Sequence, residues 1–390
     1  MKIKITIFIY ILECLLLTPI PYISQTANNI FSLTWELLLV IWLLSSPIKK
    51  QVMYENASII LFMVVSVICT YINVKTGTRT INAIVTGLKY VLIFITTEQI
   101  SNKTKYQYVA NIFFAYFFLL AIIGDLCVFF TGGKGIGSNG ILNLYLVGSK
   151  FALSYVHMFL LSLFLNQNYF IKNVKIKKRF FWILLLYTLA LTRFISCATG
   201  TIGCLTIGII VFFIGKRDKV CVFLSKPIVF VLIFIGSTFL LVGTNILLSN
   251  KFFYYIFQTY SHTSKLLSGR LDMYYVAINA INRRPIFGYG INSTIVEDVL
   301  TWGNAQNGLL KMLLDYGIIG TVSFLAVCFH SFSRSNKSDY RTSYSIMAFI
   351  YGMAICSMVE INLSAYFFLG LSLLWNSKIS RDKGLPQYGY

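Results

Sequence analysis

Three arginines, an aspartate and three glycines crowd into residues 268–290, "SGRLDMYYVAINAINRRPIFGYG", of a chain that elsewhere alternates long apolar runs with short loops. Arg270, Arg283 and Arg284 are permanently charged, and their planar guanidinium forks match phosphate oxygens two at a time. Between them, "LDMYYVAINAI" sets Leu271, Tyr274, Tyr275, Ile278 and Ile281 at helical spacing. That spacing predicts a short helix with one face resting on the protein beneath it. Arg283, Arg284 and Pro285 end this helix, because proline disfavours helix at the residue before it. Gly288 and Gly290 then permit a tight turn, so that main-chain amides and guanidinium groups can converge on one point. Asp272 lies two residues from Arg270, either as a reacting group or as a local ion-pair partner. The whole suits an anionic ligand, a lipid pyrophosphate among them. The same cations would also anchor an interfacial helix to lipid headgroups, and composition does not choose between the two.

A fourth cation, Arg193, ends an apolar run in "LLLYTLALTRFISCATGTIG" (184–203). From there it can face the same cavity or snorkel to the interface. Glu13, Glu36, Lys89, Asp125, His157 and Glu360 also sit within apolar surroundings. Ionisable groups inside a membrane are candidates for function, with internal hydrogen bonds and ion pairs as the plain alternative.

The elements that must position these residues follow from composition. The chain has 390 residues, 57% hydrophobic and 12% charged, with a mean hydropathy of +0.74; a soluble domain carries about 25% charged residues. An all-α, polytopic membrane protein is the expectation, and the 25 Tyr and 33 Phe suit lipid-facing helices and interfacial belts. Apolar runs of spanning length lie near 5–23, 29–47, 57–74, 80–99, 107–131, 148–167, 180–197, 199–215, 227–248, 308–332, 343–359 and 361–377. The first, "ITIFIYILECLLLTPIPYI", lacks a small-residue cleavage pattern and reads as a membrane helix rather than a signal peptide. About twelve spans result, with no internal repeat.

The net charge of +20 resides in short basic clusters between the runs, which is the pattern of cytoplasmic loops and not of a nucleic-acid surface. Lys49 and Lys50, Lys103 and Lys105, "IKNVKIKKR" (171–179), "GKRDK" (215–219), "SRSNKSDYR" (333–341) and the tail fall on one side, together with Lys2 and Lys4. Both termini are therefore expected inside the cell. Residues 1–248 read as a membrane bundle of about nine spans, 249–306 as one large extracytoplasmic segment with short interfacial helices, 307–378 as C-terminal spans and 379–390 as a cytoplasmic tail. Eight scattered cysteines, Cys14, Cys69, Cys127, Cys197, Cys204, Cys221, Cys328 and Cys356, without a CxxC pair, read as buried thiols rather than metal ligands or disulfides.

Taken in order, "SGR" (268–270), "PIFGYG" (285–290), Asn307 and "DYGIIG" (315–320), preceded by "SCATGTIG" (196–203), resemble the signature of the O-antigen ligase and polymerase superfamily. The motif resemblance runs over roughly 190–330, and the dozen spans with one late outer loop extend it to the whole chain. It implies a polysaccharide repeat-unit polymerase of the capsule or O-antigen type, similar to GT-C glycosyltransferases and independent of metal, nucleotide sugar or other cofactor. Donor and acceptor would both be glycans on undecaprenyl pyrophosphate, in the cell membrane, with a flippase and a chain-length regulator as pathway partners and membrane lipids around it. On this resemblance Arg270 and Arg193 would clamp the pyrophosphate, with Arg283 and Arg284 behind them, and Gly288, Gly290 and Asn307 lining the site. The family's usual His-Asn pair is Gln306-Asn307 here, and glutamine is no general base. Gln306 would then orient the acceptor hydroxyl, or His262, Asp272, Asp315 or Glu297 would serve instead. A ligase of the same superfamily shares the donor chemistry. A lipid-linked oligosaccharide flippase would be expected to show matched halves and short outer loops, which the insertion at 249–306 argues against.

Overall fold

The computed structural model describes residues 25–45, 50–73, 77–103, 106–138, 143–166, 174–214, 218–248, 270–300, 304–335 and 340–377. The first half comprises α1 (Gln25–Ser45), α2 (Lys50–Glu55), α3 (Ala57–Asn73), α4 (Gly77–Lys103) and α5 (Tyr106–Phe130). A small antiparallel sheet follows, with β1 (Gly137–Ser138), β2 (Asn143–Tyr145) and β3 (Gly148–Ser149) in sequential order. Next come α6 (Lys150–Asn166), α7 (Val174–Phe194), α8 (Ala198–Ile214), α9 (Asp218–Leu224) and α10 (Pro227–Leu248). The last group is α11 (Arg270–Arg283), α12 (Ile295–Leu300), α13 (Gly308–Ser335), α14 (Tyr340–Cys356) and α15 (Ala365–Asn376).

Among the described residues, Arg79–Asn102, Tyr108–Phe130 and Gly308–Ser335 are long and apolar enough to cross a membrane, and further apolar helices are shorter. The chain is an integral membrane protein, mostly helical. The expected run at 5–23, with Glu13 and Cys14, lies outside the described residues, as do 249–269 and the tail. Two expectations need correction. The sheet interrupts an all-α reading, because "GGKGIGSNG" (132–140) supplies turn residues rather than helix formers. Helix α7 also starts at Val174, so the basic stretch placed in a loop is partly helical, with Lys178 and Arg179 exposed and Lys177 buried.

The core is aromatic and interlocked. Phe62 of α3 stacks on Phe368 of α15 and meets Phe324 of α13. Close backbone approach is set by small residues: a Cβ on Gly203 of α8 would meet Met158 Sδ at 2.6 Å and Cys356 Sγ at 2.7 Å, so α8 lies tightly between α6 and α14. The ionisable groups inside this bundle are largely paired. Glu36 faces Lys89 at 4.0 Å, and Asp125 accepts from Tyr187 (2.7 Å) and pairs with His157 (2.9 Å). Arg334 binds Glu55 (2.6 Å) and Glu98 (3.0 Å) and lies over the Trp375 ring. Cys69, Cys127, Cys197, Cys204, Cys221, Cys328 and Cys356 are free and buried.

Candidate active site

The expected helix after Arg270 is present as α11, and Tyr274, Ile278 and Ile281 of the expected face do lie against the protein beneath it. Met273, Tyr274, Ala277 and Ala280 are buried, together with Val296, Leu310 and Leu314, whereas Tyr275 is 66% exposed. The two alanines extend the expected face, since small side chains let α11 approach α13 closely. Tyr274 fixes the helix: its hydroxyl donates to the carbonyls of Gln306 (3.3 Å) and Met358 (3.2 Å).

Beyond α11 the chain makes the "PIFGYG" turn, and its partner is a break in a membrane helix. Helix α13 is interrupted at Gly317, with φ 62° and ψ −164°. A break leaves main-chain groups without their helical partners, which in a membrane helix must be satisfied by other protein groups. Residues 285–290 satisfy them from both sides. Tyr289 and Gly290 amides donate to the Leu314 (2.7 Å) and Asp315 (2.8 Å) carbonyls, and Ile318 and Ile319 amides donate to the Pro285 (2.8 Å) and Ile286 (3.3 Å) carbonyls. Glycine is required on both strands of this contact: a Cβ at Gly288 would lie 2.5 Å from the Leu314 oxygen, and one at Gly317 2.2 Å from the Ile286 oxygen. The Gly288 amide donates to the Arg284 carbonyl (3.2 Å). The turn amides that the sequence offered to an anion are therefore engaged with protein carbonyls, and "PIFGYG" and "DYGIIG" are two halves of one joint.

The arginines divide. Arg284 donates to Asn73 Oδ1 (2.9 Å) and covers the Tyr289 ring at 5.0 Å, holding the turn against the end of α3. Arg283 is exposed in the last turn of α11, where a cation complements the helix dipole. Arg270 opens α11; its side chain and His262 lie outside the described residues. Asp272 is exposed in the first turn. Arg193 is exposed in the last turn of α7. It precedes a hairpin in which Ser196 takes a left-handed φ of 53° and the Ser196 and Cys197 amides close on the Arg193 (3.0 Å) and Thr192 (2.8 Å) carbonyls.

Gln306 is half-buried with a left-handed φ of 44°, and its amide donates to Asn304 Oδ1 (2.9 Å). Asn307 is fully buried. Its carbonyl oxygen caps α13 by accepting from Leu310 N–H (2.9 Å), and its amide donates to the Met358 carbonyl (2.9 Å). Of the alternative bases, Asp315 is buried against Lys311 (2.9 Å) and the Ser293 amide (3.3 Å), while Glu297 is exposed.

Sequence reading passed over Lys150 and Lys311, and took Tyr274 only as part of the helix's apolar face. Lys311 was visible as the i,i+4 partner of Asp315. Lys150 opens α6 and donates to the Ser196 carbonyl (3.0 Å) in the hairpin beside Arg193; nothing local in sequence signals that long-range contact. Among the described residues no group of three or more His, Cys, Asp or Glu could hold a metal.

This interlocked region, from α7 through the broken α13, coincides with a match to a known family over residues 180–325, described as O-antigen ligase. The segment belongs to the O-antigen ligase/polymerase superfamily. Members of the superfamily are glycosyl-transfer-type enzymes, and the motifs that carried the resemblance, "SCATGTIG", "PIFGYG" and "DYGIIG", all fall inside the matched residues. No curated protein matches the chain.

Proposed function

We propose that the protein is a polysaccharide polymerase that joins oligosaccharide repeat units carried on undecaprenyl pyrophosphate, on the outer face of the cytoplasmic membrane. The observation that carries this reading is the joint between residues 285–290 and the break in α13. It ties residues 285–290 to the bundle, which suits a site that must hold two lipid-anchored sugars at one membrane depth. In this reading an acceptor hydroxyl attacks the anomeric carbon of the donor and undecaprenyl pyrophosphate departs. Arg270 and Arg193 stabilise the charge that accumulates on the leaving pyrophosphate, Arg283 stands by as a further cation, and Gln306 orients the acceptor. Arg284 keeps the turn in place.

A ligase that hands finished glycan to a different acceptor is the second reading, favoured by the matched family's description. Purified protein in liposomes, supplied with lipid-linked repeat unit alone, separates the two. A polymerase gives a ladder of chain lengths; unreacted single units, with transfer only after a foreign acceptor is added, would overturn the polymerase reading in favour of the ligase.

A further inference from the structure

The hairpin after Arg193 brings together two features that are unfavourable taken alone. Ser196 holds a left-handed φ of 53°, a strained conformation for a residue with a side chain, which persists only where the surroundings fix it. Lys150 is the first residue of α6, where a cation opposes the helix dipole. One hydrogen bond joins them. The Lys150 ammonium donates to the Ser196 carbonyl at 3.0 Å and lies 5.6 Å from the centre of the Phe151 ring. Local rules broken together are characteristic of functional sites. The contact bears directly on Arg193, because the Ser196 amide donates to the Arg193 carbonyl (3.0 Å) and the Cys197 amide to the Thr192 carbonyl (2.8 Å). Whatever fixes the Ser196 backbone therefore also fixes the last turn of α7. A second support acts at the neighbouring Phe194. A Cβ at Gly133, in the glycine turn after α5, would lie 3.2 Å from that ring, and the Tyr145 hydroxyl pins the turn by donating to the Gly133 carbonyl (2.6 Å). Arg193 and Ser196 are exposed, and Lys150 is half-buried.

We propose that Lys150 is a positioning residue for the transfer reaction: by holding Ser196 in its strained conformation it keeps Arg193 aimed at the pyrophosphate of the lipid-linked donor. The inference rests on the role given to Arg193 above. Lys150 acts through the backbone of the hairpin. Without its ammonium, Ser196 relaxes from the left-handed region and the bonds that close on residues 192 and 193 loosen. The Arg193 guanidinium then leaves the place where charge builds on the departing pyrophosphate. A misplacement of about 1 Å at such a group costs up to about 10²-fold in rate.

A double-variant cycle tests the assignment, with the full-length protein in liposomes and lipid-linked repeat unit as substrate. Lys150→Met should lower kcat by about 10- to 10²-fold, while the KM for the lipid-linked unit holds. In an Arg193→Ala background the same change should cost no more than about twofold further, because two residues that act through one group do not add. Ser196→Gly should rescue Lys150→Met, since glycine adopts the left-handed φ without strain. A Lys150→Met kcat within about twofold of wild type, a loss of equal size in both backgrounds, or a failure of Ser196→Gly to rescue overturns the proposal. Should Lys150→Met not fold, the Lys150→Met/Ser196→Gly protein decides: transfer near wild type upholds the proposal, and low transfer or failure to fold overturns it. Arg193→Ala at the wild-type rate would overturn the role of Arg193 and this inference with it, whereas a slow Arg193→Ala with an undiminished Lys150→Met effect overturns the inference alone. If the wild type transfers glycan only to a foreign acceptor, the polymerase reading fails, and the same cycle judges Lys150 in that transfer. If it transfers nothing from a lipid-linked donor, both fail.

Discussion

The arginines near the candidate site differ in their contacts, and the proposed function gives them two different jobs. Arg284 is engaged by Asn73 and Tyr289, so its charge serves the turn. Arg193 stands exposed beside a hairpin, so its charge is available. Alanine at 193 or 270 should therefore lower transfer by about 10²–10³-fold, the range for a lost donor to a developing oxyanion. Protein level in the membrane should hold, and single lipid-linked units should accumulate. Arg284→Ala should instead lower the melting temperature in detergent while transfer per folded molecule falls less than tenfold; equal loss of transfer in all three variants would dissolve the distinction. Asn307 belongs to the same scale. Its two amide atoms cap α13 and tie it to the turn at Met358, so Asn307→Ala should cost about 1 kcal/mol for the cap plus the lost tether, read as a lower melting temperature.

At the scale of elements, the joint between residues 285–290 and α13 makes its own prediction. Gly288→Ala places a methyl group 2.5 Å from the Leu314 oxygen at a φ of 64°. Backbone strain of about 1–3 kcal/mol adds to disrupted main-chain bonds, and detergent melting should show loss of folded protein rather than a catalytic defect. A Gly288→Ala protein with wild-type stability would mean the joint is not tight. The helices themselves were legible in the sequence, because apolar runs and basic loops report directly on the bilayer. The end of α11 at Arg283 followed from Pro285. The face it buries followed only in part: Tyr274, Ile278 and Ile281 lie on it, but periodicity marked large residues, so it passed over Ala277 and Ala280 and wrongly included Tyr275. The purpose of the glycines did not follow: residue type told that the backbone needed freedom at Gly288 and Gly290, but their pairing with the break at Gly317, so far away in sequence, is set only by the fold. The sheet at 137–149 was hidden for a related reason, as its strands are two or three residues long and show no alternation.

For the whole molecule, polar anchors sit at both ends of a greasy bundle. The candidate site gathers α11, the hairpin after α7 and the turn before α15. At the other end, Arg334 joins Glu55 and Glu98 beneath Trp375, with Asn56 donating to Glu98. Helix α3 spans the distance, since Asn56 precedes it and Asn73 at its far end meets Arg284. Glu98 is fully buried, so Arg334→Met leaves a carboxylate with its main cation gone, a change that costs about 3–5 kcal/mol in buried pairs. Thermal unfolding should shift strongly downward, whereas transfer by the remaining folded molecules should stay near wild type, because the damage is a bundle's length from the chemistry.

The broken helix also dictates how such proteins can be recombined. Residues 285–290 and 314–319 complete each other's backbone, so neither half is a free module. A chimera that exchanges the outer segment for a relative's, to change which glycan is handled, must carry the first turns of α13 through Gly320 with it. A seam cut at the membrane surface would pair a foreign loop with an unmatched gap, and the graft would fail in the bilayer before its sugar preference could be read.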